Sequence, residues 1–259
     1  MNDDVMHHIA LRRGDVGRYV LLPGDPGRCE RIARRFDGPR LVARNREYET
    51  WTGTLSGVPV SVTSTGIGCP SAAIAVEELI QCGADTFIRV GTAGGMQAGM
   101  QTGELAIVTA AIRDEGTTSH YLPMAFPALA DLDVVLALRE AALRTRVRAR
   151  EGVSQSKDSF YGEIEPDRMP VRSRLEERWQ AFIAGGAICS EMEAAAIFVI
   201  AAIQRVRAGG IMACVGNPDM THAEVTASMA DFDLDQLIDT AVEGLRVLIE
   251  RDAAARPPA

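Results

Sequence analysis

Short apolar runs alternate with amphipathic stretches along most of the chain. From residue 18 the text reads RYVLLPGD, RCERIARRF, GVPVSVTSTGIG and CPSAAIAVEELIQCG, a succession that predicts strand, helix, strand and helix. ADTFIRVGTAGG and GELAIVTAAIRDEG predict two more strands ending in Gly- and Thr-rich loops, and RAGGIMACVGN predicts a late core strand. Residues 131–148 and 191–207 combine helical spacing with good helix formers. The second of these is apolar nearly all round, so it belongs in the interior. A last helix near 233–251 packs Leu234, Leu237, Ile238, Val242, Leu245 and Leu248, and the tail at 252–259 should fray. Residues 154–175 contain Gly162, Pro166 and Pro170 and predict a long loop, a feature that is often functional. The order of elements fits a three-layer α/β/α fold.

Length and composition narrow this picture. At 259 residues the chain is long enough for a sizeable core and is read as one domain spanning 1–259. With 47% hydrophobic and 24% charged residues it resembles an ordinary soluble globule rather than a disordered or repetitive chain. A net charge of -8 and a pI near 5.1 disfavour broad nucleic-acid binding but leave room for a local phosphate site. No stretch approaches the roughly 20 apolar residues of a membrane span. The opening MNDDVMHHIALRRGD is too polar for a signal peptide, so the cytoplasm is the expected compartment, with no membrane partner. The five cysteines, Cys29, Cys69, Cys82, Cys189 and Cys214, lack CxxC spacing and are expected as buried thiols. With the histidines scattered as well, no metal site is expected.

Three segments carry candidate chemistry. In VLLPGDPGRCERI a strand ends in PGDPGR before a helix, which sets Gly24 and Arg28 at a strand's carboxyl end beside exposed backbone N–H groups. This is an anion cradle, or else a tight turn with a solvated arginine. Arg89 lies between Ile88 and Val90 in an apolar run, just before a turn containing Thr92. A charge there calls for an anion or a carboxylate partner. In CSEMEAAA, Glu191 and Glu193 open a buried helix that Ser190 could cap. Carboxylates so placed either serve the helix dipole or accept hydrogen bonds from vicinal sugar hydroxyls, with Met192 against the ring. Arg46, in the polar stretch RNREYETW, could be a solvated edge.

Taken together, LLPGDPGR, REYETWTG, STGIGCPSAAIAVEEL, FIRVGTAGG, KDSFYG and SEMEAAAIF resemble the nucleoside phosphorylase family, most closely its uridine phosphorylase branch, over about residues 7–250. The resemblance implies a central mixed, twisted sheet, a homo-hexamer built from dimers, and active sites shared across the dimer interface. Gly24, Arg28, Arg89 and Thr92 would hold inorganic phosphate, the co-substrate, and Arg46 would reach in from the neighbouring subunit. His8, also from the neighbour, would touch the ribose 5′-hydroxyl, while Glu191, Met192 and Glu193 would bind ribose. Arg89 and Glu193 are the expected catalytic residues. No cofactor is implied, because the protein's task is to position phosphate beneath C1′ as the glycosidic bond stretches. Replacing Arg89 is expected to abolish phosphorolysis and leave the fold intact.

The base-binding segment departs from the branch pattern. After Phe160, Tyr161 and Gly162 the branch carries a glutamine and, a few residues on, an arginine; this chain has Glu163 and keeps Arg168. A glutamine offers one donor and one acceptor to uracil, whereas an ionised carboxylate only accepts. A wrongly paired buried group costs roughly 1–3 kcal/mol, unless Glu163 is protonated, neutralised by Arg168, or turned to solvent. A carboxylate suits guanine's adjacent donors, and Asn217 could bind a purine's far side or simply follow the uridine pattern. Two activities are therefore expected in order: phosphorolysis of uridine, then of guanosine or inosine. A nucleoside hydrolase and a non-catalytic nucleoside-binding protein are weaker expectations.

Overall fold

The computed structural model describes residues 5–220, 224, 225, 227 and 233–255. The chain runs β1 (Tyr19–Leu22), α1 (Gly27–Ala33), β2 (Asp37–Asn45), β3 (Tyr48–Leu55), β4 (Val58–Thr63), α2 (Cys69–Cys82), β5 (Thr86–Gly95), β6 (Leu105–Asp114) and β7 (Ala128–Leu129). It continues through α3 (Leu132–Thr145), β8 (Ala149–Lys157), α4 (Phe160–Ile164), α5 (Arg172–Ala184), β9 (Cys189–Glu191), α6 (Ala194–Gln204), β10 (Arg207–Gly216) and α7 (Asp235–Ala255).

A central mixed sheet carries helices on both faces, the α/β architecture expected. Because strand side chains alternate, Phe87 on β5 joins the core that holds Val76 and Leu79 of α2 and Phe198 and Ile200 of α6. Ile88 and Val90 face the other core, with Ile32 of α1, Leu138 of α3 and Leu245 and Leu248 of α7. Both faces being covered, the central strands read as continuous apolar runs, which is why they were visible in the sequence.

Strand β5 is where the sheet forks. Thr86–Arg89 pair with β1 in parallel, while the opposite edge follows β10. Past Arg89 the β1 side of β5 gains a strand again only at Gly94 and Gly95, which meet Ser190 and Cys189 of β9. Strands β5, β10, β6, β8 and β9 close a ring, and β1, β4, β3 and β2 extend from β5 as an open wing. The fork parts β1 from β5 at their carboxyl ends, and in open α/β sheets such a parting is the cleft at which ligands bind.

Several expected boundaries move. The loop expected at 154–175 is instead the end of β8, helix α4, a 3-10 turn at Pro166–Arg168 and the start of α5. Ser154, Gln155, Ser156 and Lys157 are polar yet buried, because β8 is flanked by β6 and β9, so hydropathy hides this strand. The helix expected from 191 begins at Ala194, since Cys189–Glu191 pair as β9. The fraying expected from 252 does not begin there: α7 continues to Ala255, with Asp252 accepting from the Tyr19 hydroxyl (2.5 Å) and from Arg207 (2.6 and 2.9 Å). Residues 256–259 lie outside the described residues. All five cysteines are buried and unbridged, and burial pushes the Cys29 thiol up to about 12. No described helix is long and apolar enough to cross a membrane.

Candidate active site

The cleft is built first from the turn after β1. Thr65 and Gly66 donate their N–H groups to the carbonyls of Pro23 and Gly24 at 2.9 and 3.0 Å, fixing the turn beside residues 64–68. A Cβ at Gly24 would stand 3.2 Å from the Gly66 carbonyl oxygen and 3.5 Å from Arg89 Nη1, so glycine keeps the guanidinium face open. Arg28, half-buried in the first turn of α1, has no ion pair among the described residues. Burial, and next the charge of Arg89, hold its guanidinium below the ordinary arginine range, with Asp25 and Glu193 opposing. The two guanidiniums are near enough for the charge of Arg89 to act on Arg28, which has no ion pair among the described residues, an arrangement that attracts an anion.

Arg89 is 5% exposed. Its Nη2 pairs with the Glu193 carboxylate and Nη1 donates to the Leu22 carbonyl at 3.4 Å, while Nε is buried without a hydrogen bond, 4.0 Å from Glu191 Oε2. The carboxylate partner expected as the alternative to an anion is present, and it lies inside the protein. Glu193 Oε1 accepts the Gly68 N–H at 2.7 Å, just ahead of α2. Thr92, half-buried on β5, lies opposite Ala213 of β10.

Glu191, rather than Ser190, caps α6. Its Oε2 accepts the N–H groups of Glu193 and Ala194 at 2.8 Å each, and Oε1 accepts from the Ser156 hydroxyl, which in turn accepts the Ala195 N–H at 2.9 Å. Burial and then the neighbouring Glu193 charge push the Glu191 carboxyl up, against Arg89, Ser156 and the Glu193 N–H. Met192, between the two glutamates, is half-buried. The sequence spacing left cap and sugar ligand undecided, and the geometry divides the roles: Glu191 holds the helix start, and Glu193 faces Arg89.

Glu163 neither meets Arg168 nor points to solvent. Its Oε1 pairs with Lys157 Nζ at 2.5 Å and its Oε2 accepts from Ser190 Oγ at 2.8 Å, while Nζ also donates to Ser190 Oγ at 2.6 Å. Arg168 is exposed and pairs with Glu165, three residues before it. Neutralisation by Arg168 is therefore corrected: β8 ends at Lys157 and delivers an ammonium closer than any group on the following turn. Phe160 is exposed, packs edge-on against Tyr161 and lies 5.9 Å from Lys157 Nζ. Asn217 donates to the Met100 carbonyl at 2.7 Å and its Oδ1 accepts the Asp219 N–H at 2.9 Å, so both ends of its amide are engaged.

His8 lies beside the β2–β3 turn that carries Arg46, and neither residue makes a hydrogen bond or ion pair with Arg28, Arg89 or Glu193 among the described residues. Asn45 Nδ2 donates to the His8 carbonyl at 2.8 Å, and His8 Nδ1 is 2.6 Å from Glu78 Oε1. Arg46 is exposed at the β2–β3 turn with a left-handed φ of 54°. Sequence reasoning gave no role to Lys157, Ser156 or Gly68, and gave Ser190 only that of a helix cap, not its contacts with Lys157 and Glu163. The available signal was Lys157 itself, which opens the segment KDSFYG directly after the uncharged run VSQS.

The model of the phosphorylase superfamily matches residues 18–246. The chain is 49% identical over 250 residues to uridine phosphorylase of Treponema pallidum, covering 96% of each chain. It is 44% identical to uridine phosphorylase of Thermococcus kodakarensis, over 96% of this chain and 89% of that one. Guanosine phosphorylase of Halorubrum lacusprofundi is 39% identical over 81% of this chain and 83% of its own. A match from β1 into α7, spanning the forked sheet and the arginine-lined cleft alike, shows that the chain belongs to the phosphorylase superfamily.

Proposed function

We propose that the protein cleaves uridine with inorganic phosphate to give uracil and ribose 1-phosphate. The observation that carries this reading is Arg28, half-buried, without an ion pair among the described residues and near enough to Arg89 to feel its charge, with Gly24 leaving the Arg89 guanidinium uncovered. Phosphate would sit on these two guanidiniums beside Gly24 and Thr92, beneath the anomeric carbon. Glu193, steadied by Arg89 and the Gly68 N–H, retains lone pairs for the ribose hydroxyls. As the C1′–N1 bond lengthens, positive charge grows on the ribose; the phosphate anion stabilises it and then closes on C1′, while the base leaves as an anion. No side chain need act as a nucleophile.

His8 and Arg46 share one surface patch and would complete a neighbouring subunit's site in a homo-hexamer of dimers. A cytoplasmic role in nucleoside salvage fits this chemistry. Guanosine phosphorolysis is the second reading, favoured by Glu163 and by the guanosine phosphorylase of Halorubrum lacusprofundi among the relatives. The test is base release from uridine, thymidine, inosine, guanosine and adenosine, with and without phosphate. The expected result is phosphate-dependent uracil release above all others. Release that persists without phosphate indicates a hydrolase; binding without release from any nucleoside indicates a non-catalytic protein.

A further inference from the structure

The Lys157–Glu163–Ser190 cluster calls for an explanation, because a buried ion pair at a cavity wall contributes little to stability by itself. Lys157 and Glu163 both line a cavity of about 200 Å³ whose wall also includes Gly162 and Trp179. Lys157 is 7% exposed, and its ammonium gives one hydrogen to Glu163 Oε1 and one to Ser190 Oγ. An ammonium has three hydrogens, so one remains; each Glu163 oxygen, holding one partner, keeps a lone pair. Ser190 directly precedes Glu191 on β9, and Ser156, beside Lys157 on β8, holds Glu191. The ion pair is thereby fastened to the segment that carries Glu193.

We infer that Lys157 and Glu163 act together as the base-reading edge, and that Lys157 sets the preference for a base whose ring N–H is flanked by carbonyls on both sides, as in uracil, over guanine, whose N1–H lies between a carbonyl and an amino group. The ammonium supplies the donor and the carboxylate the acceptor, so the pair matches an imide edge such as that of uracil: N–H to Glu163, the flanking carbonyl oxygen to Lys157. Glu163 alone would offer acceptors only and would favour two adjacent donors, as on guanine. Phe160, with 41% of its surface exposed and its ring next to the ammonium, offers an apolar face for the base plane. The inference rests on the uridine phosphorolysis reading and explains how that activity is compatible with a glutamate at position 163.

The experiment compares kcat/KM for uridine and guanosine, with the KM for phosphate as a control, in the wild type, Lys157→Met, Glu163→Gln and the double variant. Lys157→Met is expected to lower uridine kcat/KM by about tenfold or more, to raise the guanosine-to-uridine ratio, and to leave the phosphate KM unchanged. The double variant should regain uridine turnover relative to Lys157→Met, because an amide again offers one donor and one acceptor. An equal substrate ratio in all four proteins overturns the inference. Should Lys157→Met fail to fold, the wild type decides with substrate analogues: 3-methyluridine and the 2-thio and 4-thio uridines probe the N–H and its flanking carbonyls. Loss of turnover with 3-methyluridine and with one thio analogue supports the pair, and indifference to all three refutes it. A wild type that releases no base from any nucleoside with phosphate sinks the phosphorylase reading itself, an outcome distinct from an unchanged preference.

Discussion

Replacing Arg89 by methionine should cost stability as well as activity, which amends the expectation that the fold would be indifferent. Methionine keeps most of the side-chain length, so the change removes mainly the charge between Glu193 and Glu191, both 3% exposed. At the 4.0 Å separating Arg89 Nε from Glu191 Oε2, two unit charges interact by about 4 kcal/mol at an effective dielectric constant near 20. Removing one member of a buried pair typically costs about 3–5 kcal/mol. Protonation sets a ceiling: holding one carboxyl neutral at pH 7, against an unfolded value near 4.3, costs about 3.7 kcal/mol. About 3–4 kcal/mol is therefore the expected loss at neutral pH.

The sign of its pH dependence follows from Glu191. Burial and Glu193 already push this carboxyl up, with Arg89 among the groups opposing them, so losing the guanidinium pushes it further. A folded-state value above the unfolded one disfavours the fold once pH rises past the unfolded value. The deficit should then shrink toward about 1 kcal/mol at pH 5, where little work is needed to protonate the carboxyl. Urea denaturation of wild type and Arg89→Met at pH 5, 6 and 7, at one protein concentration, measures both quantities. Adding Glu193→Gln should return most of the lost stability and none of the phosphorolysis. An unchanged denaturation midpoint at pH 7, or a deficit independent of pH, refutes the claim that Arg89 compensates these carboxylates.

Two further outcomes follow from single contacts. Gly24→Ala places a methyl 3.2 Å from the Gly66 carbonyl and 3.5 Å from Arg89 Nη1; it should raise the phosphate KM by about tenfold, equal to about 1.4 kcal/mol, in steady-state assays over a phosphate series, and an unchanged KM removes Gly24 from the phosphate site. Asp252→Asn should destabilise by about 1–3 kcal/mol in denaturant titrations, because the bonds from Arg207 and Tyr19 outweigh burial and hold the Asp252 carboxyl below its ordinary range. Since the folded value is the lower one, that contribution is complete above about pH 5 and declines as pH falls through the folded value; a deficit that grows on acidification contradicts the assignment.

What the sequence revealed and concealed divides along one physical line. A residue whose burial contradicts its own chemistry is conspicuous in one dimension, as Arg89 is between Ile88 and Val90, and the central strands are conspicuous because both sheet faces bury them. A buried polar residue satisfied by a partner remote in the chain leaves no such mark. Ser156 serves Glu191 thirty-five positions away, and Lys157 reaches Ser190 across thirty-three, so β8 read as loop. Nearness in sequence then misled: Arg168 was the obvious cation for Glu163, yet the turn between β8 and α4 brings Lys157 to it, while Glu165 takes Arg168. His8 and Arg46 show a different limit. Their surroundings within one chain are a carboxylate, a carbonyl contact and a strained turn, and their proposed work requires a second subunit. The proposed phosphate end is thus legible because charge sits among apolar neighbours, whereas the proposed base end is written in hydrogen bonds between β8, α4 and β9 that only folding creates. Base preference, resting on those bonds, is the property least recoverable from motif matching and most sensitive to a change at Lys157.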